Sequence, residues 1–420
     1  MEGSRIGIAG AGIGGLAAAS LLADQGHRVV VFDQFATPRP VGSGLIVQPV
    51  GLEVLDRLGV GAGARRLGAP IRRLRGAECR TGRAVLDVTY GDGPGAESLA
   101  IHRASLFSVL HEAALRRGVV IEGGRRVTGR IGPCLAFAEG ARSEPFDLLI
   151  DASGAGSVLS PLRARGLAYG ALWGVVDWVP VANIPPDELT QRYRRADRMI
   201  GVLPIGCLPG DPLPKAAVFW SLPREGHAAW LAAGLAAWKE EARRLWPEAM
   251  AFLDQITDPE QMTTARYGHG AMRRPYAEGI AFLGDAAHRA SPQLGQGANM
   301  ALLDALTLAL ALGHFDRRTE LGEALRLYAA ARRWHVRAYQ TLSALFTPQY
   351  QSDSRALPVV RDRVLYPLSR VPPLPWILSA LVSGRLLPPL GRLASLAGER
   401  PEAIIARPLP HPRATPMRSP

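Results

Sequence analysis

Short apolar runs and longer apolar stretches alternate at the start of the chain, and the changeovers fall on glycine. Residues 5–9, RIGIA, are a short buried-strand pattern, without polar side chains after Arg5, of the kind that parallel sheets bury on both faces. LAAASLLADQ (16–25) is too long for one strand and predicts a helix closed by Gly26. A second β-rich run, 28–32, ends on Asp33. The same order returns late in the chain, where the strand pattern GIAFL (279–283) leads through a loop into GANMALLDALTLALALG (297–313), with Gly313 placed to end the helix. Between about 165 and 270 the pattern changes. GALWGVVDWVPVA, MIGVLPI and KAAVFWSL read as strands separated by Pro/Gly turns, which suits an antiparallel sheet, and 227–256 reads as helix. After 315, ELGEALRLYAAARRWHVRAYQTLSALF is a long amphipathic helix.

The first strand–helix junction carries glycine at 10, 12 and 15. Gly10 permits a tight turn, Gly12 lets backbone approach a pyrophosphate, and Gly15 lets the helix pack closely on the strand. Phosphates would then face the helix N-terminus, where unpaired amides and the dipole favour negative charge. Asp33, eighteen residues beyond Gly15, stands where an acid accepts the hydroxyls of an adenosine ribose. Strand, glycines, helix and acid together predict dinucleotide binding in a Rossmann-like unit.

The second junction, GDAAHRASPQLGQGANM (284–300), decides which dinucleotide. It makes a second anion-facing helix mouth in one chain. Two such mouths suit FAD: one takes the pyrophosphate, the other faces the pyrimidine edge of the isoalloxazine ring, where the reduced flavin is anionic. Asp285 is then free to hold the sugar-alcohol chain between them, and Gly295 and Gly297 let amides approach the ring. No second GxGxxG with its own βαβ unit appears, so a separate NAD domain is not expected.

Composition mainly excludes. The net charge is +12, but only Lys215 and Lys239 are lysines and the arginines are scattered, which argues against a nucleic-acid stripe. Cys79, Cys134 and Cys207 lie far apart without CxxC spacing, so neither a zinc site nor a disulfide framework is expected, and a reducing cytoplasm is. The histidines form no HxxxH or HExxH pair, so no metal is expected. No secretory leader is read at the N-terminus. VPPLPWILSALVSGRLLPPL (371–390) raises the membrane question, but its apolar run is too short to span a bilayer. A packed surface helix is the plain reading; an interfacial helix reaching lipid-dissolved substrate is the alternative. The last residues, 407–420, read as a disordered tail.

The loop at 284–300 resembles the GD motif of the single-component FAD-dependent monooxygenases, the p-hydroxybenzoate hydroxylase-like aromatic hydroxylases. Gly284, Asp285, Ala286, Ala287, His288, Pro292, Leu294, Gly295, Gln296, Gly297, Asn299 and Asp304 carry the likeness. It extends to the first glycine loop, to RPVGSGLIVQP (39–49) and to IHRASLFSVL (101–110), covering roughly residues 1–345. The resemblance implies cofactor contacts from Gly10, Gly12, Gly14, Gly15, Asp33, Gln34, Arg39, Gly44, Arg103, Gly284, Asp285, Pro292, Gly295, Gln296, Gly297, Ala298 and Asn299. It implies oxygen insertion from O₂ into an aromatic or other electron-rich small molecule through a flavin C4a-hydroperoxide, with NAD(P)H as the electron donor. The flavin carries that chemistry, so no catalytic side chain is nominated. His288 reads as a packing residue, while Trp173, Trp178, Trp220, Tyr267 and His269 are candidates for lining an apolar pocket or for simple core.

One departure stands out. In DLLIDASGAGSVLSPLR (147–163) Ser153 occupies the place of the family's usual aspartate, and the following arginine is displaced to Arg163. That weakens the case for direct nicotinamide binding more than for FAD, and admits a separate flavin reductase as partner. DASG also resembles flavin halogenases and isoprenoid reductases, so a non-oxygenating flavin oxidoreductase is the alternative; a halogenase's WxWxIP segment is lacking. The expected fold is α/β: a Rossmann-like FAD-binding domain from segments 1–75, 98–165 and 271–345, substrate-domain strands at 76–97, an inserted antiparallel-sheet substrate domain at 166–270, and a helical C-terminal region at 346–406.

Overall fold

The computed structural model describes residues 3–37, 42–91, 95–315, 320–391 and 393. Arg39, the tail at 407–420 and the end of the helical region lie outside the described residues. Two large sheets organise the rest. The first runs in the order Tyr276–Ala277, Ile280–Phe282, Leu148–Asp151, Arg5–Ala9, Arg28–Phe32, Val120–Glu122. All neighbours are parallel except the first pair. RIGIA is central, which is why its four last residues are fully buried.

Register places the carboxyl ends of the strands side by side: Ala9 pairs with Phe32 and with Asp151, and Asp151 pairs with Phe282. The loops that leave them therefore begin along one edge, where ligands of open α/β sheets bind. Helices Ile13–Asp24 and Gly297–Gly313 pack directly on one another, Gly14 against Ala301. Both are apolar nearly all round, with weak amphipathicity, because both lie inside the largest core beside Ile8, Val31 and Ile150.

The second sheet has eight strands: His288–Arg289, Met262–Ala271, Arg165–Asp177, Lys215–Pro223, Arg198–Pro204, Glu188–Arg194, Arg73–Glu78 and Ala84–Thr89. It is antiparallel apart from one parallel pair, Glu188–Arg194 with Arg73–Glu78. Its edge strand, His288–Arg289, follows directly from the Gly284–Asp285 loop, so the two halves of the molecule are stitched at the site. One face packs on helix His227–Leu245 and the short helix Met250–Leu253. That long stretch was expected as one helix, but it kinks at Gly234 (φ 77°) and stops before Pro247, which cannot donate to a continuing helix. Among the described residues no helix is long and apolar enough to cross a membrane.

Candidate cofactor cleft

The three glycines of the first loop prove different in kind. A Cβ on Gly10 would stand 2.6 Å from the Ala152 carbonyl oxygen, and one on Gly15 only 2.0 Å from that of Gly10. Both positions are closed by backbone. Gly12 is exposed, and a Cβ there would meet nothing within 4 Å. It caps the Ile13–Asp24 helix without any side-chain hydrogen bond to the first-turn amides. The second mouth has the same character. Gln296 caps Gly297–Gly313 with no side-chain bond to the helix, Gly297 is exposed, and a Cβ on it would again meet nothing within 4 Å. Because the two helices are packed together, their uncapped ends open on one cleft.

Asp33 bridges strand and loop: Oδ2 accepts the Ala11 amide at 2.8 Å and Oδ1 the Phe35 amide at 3.0 Å. Each oxygen keeps a lone-pair direction for a ligand hydroxyl. Gln34 follows it on the surface. Across the cleft stand Arg103 and Asp285. Both are exposed, and each lies within electrostatic reach of the other. Burial pushes the Asp285 carboxyl above its usual range against the pull of His288, Arg103 and Arg289. Burial likewise lowers Arg103, and Asp285 opposes that. The two attract without an ion pair, which leaves both heads available to a polar ligand. Arg103 opens helix Arg103–Arg116, whose cap is the His102 ring, with Nδ1 accepting the Ala104 amide at 3.0 Å.

The Gly284 loop is held from behind by a buried ionic network. Asp304 accepts the Gly284 amide at 2.9 Å and bonds His288 Nε2 at 2.7 Å through Oδ2, and takes Arg332 Nε at 2.7 Å through Oδ1. Burial opposes the charge on Asp304, but His288 and Arg332 outweigh it and hold the carboxyl well below the usual range. His288 is thus a packing residue, as its sequence context suggests. Arg332 was missed; its only signal is an arginine on the inward face of the long helix Leu321–Tyr350.

Several residues expected at the cofactor prove to be tied elsewhere. Asn299 is fully buried; its Oδ1 accepts the Gln48 amide at 2.8 Å and its Nδ2 donates to the Gly295 carbonyl at 2.9 Å, so it shapes the turn. Gln296 donates to the Val382 carbonyl at 3.0 Å, leaving only its backbone to the cleft. Gly44 is required by packing, since a Cβ there would lie 2.3 Å from Ile205. Gly295 adopts the left-handed conformation (φ 61°) after the Pro292–Leu294 turn, while Pro292 is exposed and Ala298 half-buried at the mouth. Trp220 and Trp178 belong to the core against Trp238 and Phe252, on the sheet face away from the cleft. Trp173 is on the other face, its ring tilted against Phe219 at 4.8 Å and its Nε1 donating to the Tyr267 hydroxyl at 2.9 Å, with His269 two residues further along the Tyr267 strand.

At the position of the unusual serine, Asp151 is fully buried and accepts the Ser153 amide at 3.1 Å and the Ser153 hydroxyl at 2.5 Å. Ser157 donates to the other oxygen. The turn is closed on itself by a carboxylate that sequence reading passed over. Among the described residues no cluster of His, Cys, Asp or Glu could hold a metal ion.

The geometry is that of a site for an extended anionic dinucleotide, and the matching family model is described as an FAD binding domain, over residues 4–131 and 212–343. The chain belongs to this family of FAD-dependent monooxygenases. The chain is 32% identical over 347 residues to 3-amino-4-hydroxybenzoate 2-monooxygenase of Streptomyces cremeus, covering 78% of this chain and 83% of that one. It is 28% identical to 6-methylpretetramide 4-monooxygenase of Streptomyces rimosus, covering 90% of this chain and 91% of that one. Among solved structures, Klebsiella pneumoniae HpxO complexed with FAD and uric acid superposes with a TM-score of 0.74 at 23% identity, over 91% of this chain and 98% of that one. These relatives decide for oxygen insertion over the non-oxygenating alternative, and FAD is the cofactor.

Proposed function

We propose that this monooxygenase hydroxylates an aromatic or similarly electron-rich small molecule, using noncovalently held FAD and electrons from NAD(P)H. The observation that carries the reading is the pair of uncapped helix ends, at Gly12 and Gly297, opening side by side onto one cleft. When bound, FAD reduced by NAD(P)H would activate O₂, one atom of which goes to the substrate and the other to water. The chain's own part is to bind, orient and exclude water.

Amides from Gly12 to Gly15 would meet the pyrophosphate, and Asp33 would take the adenosine ribose. Asp285 and Arg103 would hold the linking chain and ring edge. Amides of 295–298, with Pro292 near them, would stabilise negative charge on the reduced ring. The sheet face bearing Trp173, Tyr267 and His269 roofs the substrate space; burial raises the Tyr267 hydroxyl to about 12, so it enters as a neutral donor. The segments named from the sequence as FAD-binding and substrate domains are the corresponding division of labour. A cytoplasmic setting accords with three free cysteines.

Labelled O₂ tests the reaction: the isotope is expected in the product of a substrate that stimulates NAD(P)H consumption. Product free of label would refute oxygen insertion. Anaerobic mixing with NADH or NADPH is expected to bleach the flavin directly. Bleaching only after a separate flavin reductase is added would replace the nicotinamide assignment, with Ser153 and the closed Asp151 turn as the reason.

A further inference from the structure

The C-terminal helical segment is inside out. Along Ala356–Ser369 the inward side chains include, besides Pro358, a charged pair: Arg361 is 1% exposed, lies over the rings of Tyr193 and Tyr350, and is paired with the buried Asp362. Its guanidinium also donates to the Gln349 carbonyl at 2.8 Å and to that of Arg195 at 3.1 Å. The outward side chains are apolar apart from arginines. Val360, Val364 and Leu368 follow one another at four-residue spacing, with Val359 and Val371 alongside, all exposed. The adjoining helix, Leu374–Val382, adds Trp376, which is 74% exposed. Water-facing helices put these residue types the other way round, and exposed large apolar side chains gathered in one short segment mark a contact.

The charges around the face choose the partner. Arg355, Arg363 and Arg370 are its exposed ionic groups, and among the described residues none of the three makes an ion pair. Asp362 is turned inward, towards Arg361 and Arg83. Asp353, before the helix, accepts the Tyr169 hydroxyl. Apolar side chains with a tryptophan, rimmed by free arginines on a chain of net charge +12, are what an anionic lipid surface takes up: the aliphatic groups enter the acyl boundary and the guanidinium heads reach the phosphates. A second copy fits poorly, because among its described residues the face offers arginines and no exposed carboxylate, so a self-complementary contact would leave the arginines of both copies without an ionic partner.

We propose that this face docks the enzyme on anionic phospholipid bilayers, lying on the surface without spanning it. The face joins the cofactor cleft: Val382 of the same helix accepts from Gln296, and Leu378 and Leu381 pack with Leu294 and Met300. Resting on the hydroxylation reading, this implies a substrate apolar enough to partition into lipid.

Flotation of the full-length holoenzyme with vesicles tests the docking without reference to turnover, so its failure and failure of the hydroxylation reading are distinguishable. The parent is expected to float with phosphatidylcholine vesicles containing phosphatidylglycerol, and at least about tenfold less with phosphatidylcholine alone, since three arginines act near the surface. Val364→Asp/Leu368→Asp is expected to cut flotation about tenfold or more while keeping the parent's melting temperature and flavin content. Arg363→Gln/Arg370→Gln is expected to lose the preference for anionic lipid. A parent that stays with the unfloated fraction, or a Val364→Asp/Leu368→Asp protein that floats equally well, would overturn the proposal. So would a parent dimer that the same substitutions turn into monomer with no vesicle binding by either.

Discussion

Gly12, the cap residue, and Gly15, in the first turn of helix Ile13–Asp24, stand three residues apart and require glycine for opposite reasons. The space before Gly12 is open and that before Gly15 is filled by the Gly10 carbonyl. Gly12→Val is therefore expected to fold, losing no more than about 1 kcal/mol through the poorer helix cap, and to lose flavin, because only the ligand meets the new side chain. Gly15→Ala is expected to lose about 1–3 kcal/mol, since backbone must shift to admit the methyl. Thermal melts of the flavin-free proteins and flavin content after purification separate the two. Asp285→Ala should purify mostly as apoprotein with an unchanged melt; full flavin occupancy would refute its role. Asp304→Ala should behave in the opposite way. Removing it leaves Arg332 buried without its carboxylate, at a cost of about 3–5 kcal/mol, visible in denaturant melts whether or not flavin is present.

Element by element, the strand–loop–helix junctions were legible because their residues answer to local rules. The apolar run RIGIA needs two flanking strands, Gly10 a positive φ (102°), and Gly297–Gly313 the bounds its glycines suggest. What stayed hidden depends on partners distant in sequence. Asn299 looks like a ligand-facing residue until the Gln48 amide is seen at its oxygen, and Arg332 has no meaning before Leu321–Tyr350 is laid against Asp304. The same holds for strand Glu188–Arg194, whose polar composition hides a parallel partner over a hundred residues earlier. The long helix carries a pH response of its own. His335 Nε2 lies 3.0 Å from the Gly384 carbonyl; burial and then Arg332 lower its pKa to about 3. The folded ring is neutral where the unfolded ring, near 6.5, takes a proton. Its contribution is fully present above pH 6.5 and is lost as pH falls towards 3, at up to about 1.4 kcal/mol per pH unit. Melting temperature should fall across that window, and less steeply in His335→Gln; parallel slopes would contradict the assignment.

For the molecule as a whole, the two sheets and the C-terminal helices are joined at the cofactor loop. His288–Arg289 extends the substrate sheet, Asp304 anchors Gly284, and Gln296 holds the Val382 carbonyl. Binding a dinucleotide at this junction should therefore stabilise the chain as one unit, by an amount that grows with the logarithm of free ligand. Purification under native conditions, followed by the visible spectrum and a denaturing spin, measures the claim on which the rest depends. The account predicts a yellow protein whose FAD, equimolar with chain, appears in the supernatant once the chain is denatured. A colourless protein that takes up no added FAD, or flavin that stays with the denatured pellet, would contradict it.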